Sequence, residues 1–284
     1  MTEAFDSLAN ITVPNVLSIV NEAVFEEFDE LKAVQWTGYH TPTVIQISVA
    51  YLVSIFAIQW FMKTREAFEL QKPLFAWNAA QALFSFLVVY NIIPEVIESY
   101  QASGIKGLDC DSNFMKGSTG AWHFAFVLSK VLDLVDTFFI VLRKRPLVFL
   151  HYYHHVATMV AGFAMYSESF PIRLVSLLNG SVHCIMYSYY AAAAMRIKIP
   201  GWLARWITRV QISQFVLGAA FGIHGTVEFF SEAGCGNIST SHLILGWFIN
   251  LSFLTLFINF FRKSYVVGGG KQKYRDDSSE KKQE

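Results

Sequence analysis

Long uncharged stretches separated by short polar connections set the pattern of this chain. Residues 43–62, 74–94, 146–167, 174–195, 210–227 and 242–261 contain no Asp, Glu, Lys or Arg. As a helix each is close to the length needed to cross a bilayer core, which takes about 20 apolar residues. A further stretch, 119–142, is equally apolar except for Lys130, Asp133 and Asp136. Charges at that depth are costly in lipid, so its helix is expected to turn them toward a polar interior. The pattern predicts an all-α polytopic membrane protein whose seven transmembrane helices occupy residues 43–262. An amphipathic lead-in over 1–42 precedes them and a charged tail over 263–284 follows. A soluble helical core is the competing reading, but it would need seven helices that are hydrophobic all round.

Composition agrees. Of 284 residues, 54% are hydrophobic and only 15% charged, too oily for a soluble fold of that length. The 22 basic and 22 acidic residues cancel, so no net field recruits nucleic acid. No Walker or Rossmann glycine pattern falls between a strand and a helix. Basic residues alternate from one connection to the next. Lys63, Arg65 and Lys72, then Arg143, Lys144 and Arg145, then Arg196, Lys198 and Arg205, then most of the tail lie on one side. The positive-inside rule makes that side cytoplasmic, with the N-terminus across the membrane. The sequons at Asn10 and Asn237, together with Cys110 and Cys235, then share the lumenal side, where the sequons could be glycosylated and the cysteines could pair. Cys184 falls inside a span, where a packing role is expected. Lys281 and Lys282 sit where a dilysine retrieval signal of the endoplasmic reticulum would, although a solvated tail explains them too. No cleavable leader is expected, because the first apolar span starts after forty residues and follows Glu26, Glu27, Asp29 and Glu30.

The polar residues within the spans converge in depth. At 1.5 Å per residue, His154, His183, Asp136, Lys130, Gln211 and Gln214 all fall roughly 9 to 18 Å from the cytoplasmic ends of their helices. One buried polar chamber, opening toward the cytoplasm, accounts for that coincidence. Its densest part is His151-Tyr152-Tyr153-His154-His155. His151 and His155 share a helix face, and His154 is rotated from His155 by about 100°. Imidazoles at this spacing can bind metal, as in membrane di-iron enzymes, but a di-iron site needs further histidine boxes and the remaining histidines are isolated. Acid–base or nucleophilic use of imidazole is the other chemistry available, with Asn179 one turn before His183 and with Lys130, Asp133 and Asp136 as charged partners. Tyr187, one turn after His183, is the preferred inward tyrosine, while Tyr189 and Tyr190 suit either an interface or an entry path. Arg143, Lys144 and Arg145 stand where a phosphate-bearing head would be drawn in. A seven-helix transporter or receptor would also explain the span count, but it would not call for two imidazole sites.

These blocks resemble the ELO family of very-long-chain fatty acid elongases. Lys130-x-x-Asp133-x-x-Asp136-Thr137 is similar to the family's K-x-x-E-x-x-D-T, with Asp133 one methylene shorter than the usual Glu. His151-x-x-His154-His155 is similar to its H-x-x-H-H box. Asn179-x-x-x-His183-x-x-Met186-Tyr187-x-Tyr189-Tyr190 and Thr208-x-x-Gln211-x-x-Gln214 match two further blocks. The resemblance implies condensation of a long-chain acyl-CoA with malonyl-CoA to a 3-oxoacyl-CoA, carbon dioxide and CoA, in a helical tunnel in the endoplasmic-reticulum membrane. It implies His154 as the acyl acceptor and His183 as its assistant. His151 and His155 would exchange protons, and Asn179 with Gln211 would donate to carbonyl oxygens. Lys130, Asp133, Asp136, Arg143, Lys144, Arg145, Tyr187, Tyr190, Gln211 and Gln214 would serve substrate binding. It implies no cofactor or metal, membrane lipids as surroundings, a ketoreductase, dehydratase and enoyl reductase as cycle partners, and a homo-oligomer as an option.

Overall fold

The computed structural model describes residues 28–111, 113–231, 234–235 and 238–267, and among these there is no strand. Eight α-helices follow in order: α1 (Glu30–Phe61), α2 (Gln71–Cys110), α3 (Gly117–Leu132), α4 (Val135–Leu142), α5 (Phe149–Tyr166), α6 (Arg173–Ala194), α7 (Gly201–Phe229) and α8 (Thr240–Phe261). Each of the seven expected spans falls on a helix, with α3 and α4 sharing the third. The segments Glu30–Thr64, Gln71–Cys110, Gly201–Phe229 and Thr240–Val266 are long and apolar enough by themselves to cross a membrane. Their outward faces carry large apolar side chains such as Trp60, Val53, Phe248 and Ile244, as a lipid-facing surface requires. The sequons at Asn10 and Asn237 and the Lys281-Lys282 pair lie outside the described residues.

Two helices run well past the expected spans, because counting uncharged residues finds only the part inside the bilayer. The Asp29 side chain caps α1 by accepting from the Lys32 amide at 3.0 Å, so the helix begins inside the segment read as a lead-in. Helix α2 continues beyond Pro94 and bends at Gly104, whose φ of 62° and ψ of −150° only glycine adopts without strain. The return segment is then tied down. Arg173, at the start of α6, is fully buried; it binds both Glu95 carboxylate oxygens at 2.6 to 3.0 Å and the Gly107 and Leu108 carbonyls at 2.9 Å. Cys110 and Cys235 are joined by a disulfide across 125 residues. Lys106 pairs with Glu228 at 2.7 Å, and His224 Nδ1 with Asp109 Oδ2 at 2.6 Å.

The third span also departs from the expected continuous helix. Between α3 and α4 the amides of Leu134, Asp136 and Thr137 bond three residues back, to Val131, Asp133 and Leu134. This is 3₁₀ geometry, in which residues three apart eclipse one another. Lys130, Asp133 and Asp136 therefore line up on one side of the chain, facing α2 and α6. A second packing group joins α1, α3 and α5 around Trp36, Ile55, Phe124, Met159 and Phe163.

Candidate active site

Asp133, Asp136 and Thr137 are the hubs of three braces. Asp133 accepts from the Lys130 ammonium at 2.9 Å and from Gln81 Nε2 on α2 at 2.9 Å. Lys130 also donates to Asn179 Oδ1 at 3.2 Å. Because the ammonium can only donate, this contact takes the amide's oxygen and leaves its NH2 group for other use. Asp136 accepts from Trp77 Nε1 and from the Tyr187 hydroxyl, both at 2.6 Å. The Tyr187 ring then meets His183 edge-on at 5.3 Å. Thr137 Oγ1 shares hydrogen bonds with the Tyr51 hydroxyl at 2.6 Å and with His151 Nε2 at 3.0 Å. One short stretch of chain thus orients an amide on α6, an imidazole on α6 and an imidazole on α5.

The four histidines form one group. His151 and His155, a turn apart on α5, have ring centroids 4.3 Å apart, and His154 and His155 are 5.7 Å apart. His154 turns away toward α8, where it lies 4.9 Å from the Phe253 ring. His183, on α6, lies within electrostatic reach of His154, His155, Lys130 and Asp133. Among the described residues, no hydrogen bond engages the ring nitrogens of His154 or His183. No group of three or more His, Cys, Asp or Glu among them is placed to hold a metal ion.

A cavity of about 260 Å³ lies between α3, α5, α6, α7 and α8. One end is lined by Lys130, His154, Asn179, Gln214 and Phe253, the other by Met165, Ile172, Gly225, Ile238 and His242. Of the expected site residues, Lys130, His154, Asn179 and Gln214 therefore face the cavity directly. His151, His155, His183, Asp133, Asp136 and Tyr187 stand behind them in the hydrogen-bonded and stacked network. Gln211 is turned aside, its Nε2 donating to Met186 Sδ at 3.2 Å. Tyr190 is 46% exposed and meets the Tyr189 ring edge-on, away from the cavity lining. At the turn after α4, Lys144 donates to the carbonyls of Lys63 and Arg65 at 3.2 and 2.9 Å, whereas Arg145 is exposed. Arg143 is half-buried; burial and then the Arg145 charge lower its guanidinium from the ordinary value, which leaves an arginine charged.

The sequence reading missed Gln81, Trp77 and Tyr51, each an uncharged residue in an apolar span with no spacing to mark it. Nor does the sequence mark Arg173 at the head of α6, which the structure buries fully. Its pairing with Glu95, 78 positions away, has no local signal.

The ELO family profile, described as the GNS1/SUR4 family, matches residues 36–273. Long chain fatty acid elongase 1 of Caenorhabditis elegans is 40% identical over 255 residues, covering 88% of each chain. Very long chain fatty acid elongase 6 of Drosophila melanogaster is 35% identical over 79% of this chain and 72% of its own. Very long chain fatty acid elongase 3 of Mus musculus is 34% identical over 87% of this chain and 90% of its own.

Proposed function

The chain belongs to the ELO family and is a fatty acid elongase, and from that premise we propose that it condenses a long-chain acyl-CoA with malonyl-CoA by way of an acyl-His154 intermediate. The observation that carries the reading is the head of the cavity. There an imidazole whose ring nitrogens bond to no described residue stands at the end of an apolar chamber, beside an Asn179 amide whose oxygen is taken by Lys130.

In the first half-reaction a ring nitrogen of His154 attacks the thioester carbon. The carbonyl oxygen gains charge and is stabilised by the Asn179 NH2 group, which Lys130 presents and Asp133 and Gln81 hold in place. The carbon–sulfur bond breaks, and CoA leaves with a proton that the adjacent imidazoles can relay. In the second half-reaction malonyl-CoA loses carbon dioxide, and its α-carbon attacks the acyl-imidazole carbon. The imidazole departs with its electron pair, and the 3-oxoacyl-CoA is released. His183, one turn beyond Asn179 and about 6 Å further along α6, is suited to the malonyl thioester oxygen, with Tyr187 and Asp136 fixing its ring. His151 and His155 exchange protons behind it. No metal or cofactor takes part.

The acyl tail occupies the cavity, while the CoA phosphates meet Arg143, Lys144 and Arg145, and Gln214 and the more distant Gln211 and Tyr190 complete the substrate path. The protein resides in the endoplasmic-reticulum membrane, with its N-terminus lumenal and its C-terminus cytoplasmic. A ketoreductase, a dehydratase and an enoyl reductase process its product. The test is intact-mass analysis of the protein incubated with acyl-CoA alone. An acyl adduct should form, and it should vanish in His154→Ala. An adduct of unchanged yield in that variant refutes the assignment.

A further inference from the structure

The far end of the cavity is not wholly apolar. Asp109, from the return of α2, and His242, from the start of α8, both line it, and they are only 8% and 7% exposed. Asp109 gives Oδ2 to His224, and no described residue engages Oδ1. His242 Nδ1 shares a hydrogen bond with Ser239 Oγ at 2.9 Å, and no described residue engages Nε2. Phe170 meets the His242 ring at 5.5 Å, and Met165, Ile172 and Ile238 line the same cavity. A methyl-terminated chain reaching this point presses hydrocarbon against a carboxylate and an imidazole and returns no hydrogen bond to either. A hydroxyl at the chain end would donate to Asp109 Oδ1 and accept from His242 Nε2–H.

We propose that this floor is a binding subsite for the polar end of an ω-hydroxylated acyl chain. The inference rests on the elongase reading for what holds the other end. Three helices set its length independently. His154 to Met165 on α5, Gln214 to Gly225 on α7 and Phe253 to His242 on α8 each span eleven positions, or about 16 Å. Gly225 marks the floor, since a side chain placed there would start 3.9 Å from the Asp109 carboxylate. An extended chain advances about 1.2 Å per bond, so roughly thirteen bonds cover the distance. The hydroxyl meets the subsite on an acyl chain of about fourteen carbons.

The experiment compares binding of ω-hydroxy and methyl-terminated acyl-CoAs of ten to eighteen carbons, by equilibrium competition on the purified full-length protein in lipid nanodiscs. The affinity ratio should peak near fourteen carbons, at about tenfold in favour of the hydroxyl. It should fall toward or below one at ten, where the hydroxyl is stranded against apolar wall. Asp109→Leu and, independently of any folding loss in that variant, His242→Phe should flatten the peak. A ratio that does not vary with length, or a peak that survives His242→Phe, overturns the proposal. Condensation of the same chains with radiolabelled malonyl-CoA is read in parallel. A binding peak without any product would refute the elongase mechanism and leave the subsite standing.

Discussion

Shortening the cavity from within gives the sharpest test of where the acyl tail lies. Gly162 lines it eight positions past His154 on α5, which is about 12 Å along the helix axis. A Cβ there would meet only Lys130 Cγ and Val127 Cγ1, both at 4.0 Å, so Gly162→Leu adds its branched end to the cavity with little backbone strain. At about 1.2 Å per bond the remaining depth holds roughly ten bonds, against roughly thirteen in the parent. A fourteen-carbon donor would then have about three methylenes without a place. At about 0.8 kcal/mol for each methylene removed from apolar contact, the penalty is about 2.4 kcal/mol, or roughly 60-fold in kcat/KM. The assay is incorporation of radiolabelled malonyl-CoA across acyl-CoAs of eight to eighteen carbons. Eight-carbon and ten-carbon donors should be turned over at parent rates while fourteen-carbon and longer donors collapse. If every length falls equally, or if the parent profile persists, the tail does not run along α5.

Other consequences concern the braces and the tie-down of α2. Asn179→Ala, which removes the proposed oxyanion donor, should lower the single-turnover rate of adduct formation by about 10²- to 10³-fold. Tyr51→Phe deletes one buried hydroxyl from the Thr137 and His151 chain and should cost about 1 kcal/mol of stability, seen as a modest drop in Tm together with a lower kcat at unchanged KM. Arg173→Met leaves Glu95 without its partner and should cost about 3 to 5 kcal/mol, read by thermal unfolding in detergent. Dialysis against a chelator should leave condensation unchanged; loss of activity restored by a divalent cation would contradict the metal-free mechanism.

The span pattern made the helices legible because an apolar helix is expensive anywhere but in lipid, so uncharged length alone finds it. The same count could not see where α1 begins or how far α2 continues, since polar extensions outside the bilayer carry no such signal. The three-residue spacing of Lys130, Asp133 and Asp136 was visible, but its meaning required the 3₁₀ stretch. On a continuous α-helix these residues would drift by about 60° per step; with three residues per turn they stack. The histidine block was legible for the opposite reason, because imidazoles rarely crowd into an apolar run without work to do. Their partners Gln81, Trp77 and Tyr51 were not legible, because each is defined by what lies across the bundle and nothing in the neighbouring sequence records that.

The covalent link between Cys110 and Cys235 has a consequence for how the molecule is built. Its second half arrives on the connection between α7 and α8, after nearly the whole chain has been synthesised. Until then the return of α2 is held by Arg173 with Glu95 and, once α7 is made, by the Asp109–His224 and Lys106–Glu228 pairs, and no covalent bond fastens the bottom of the chamber to the connection that leads into α8. A nascent protein arrested at the end of α7 would therefore own a complete set of imidazoles above a base not yet covalently closed, and sealing of the chamber becomes a late event of biogenesis.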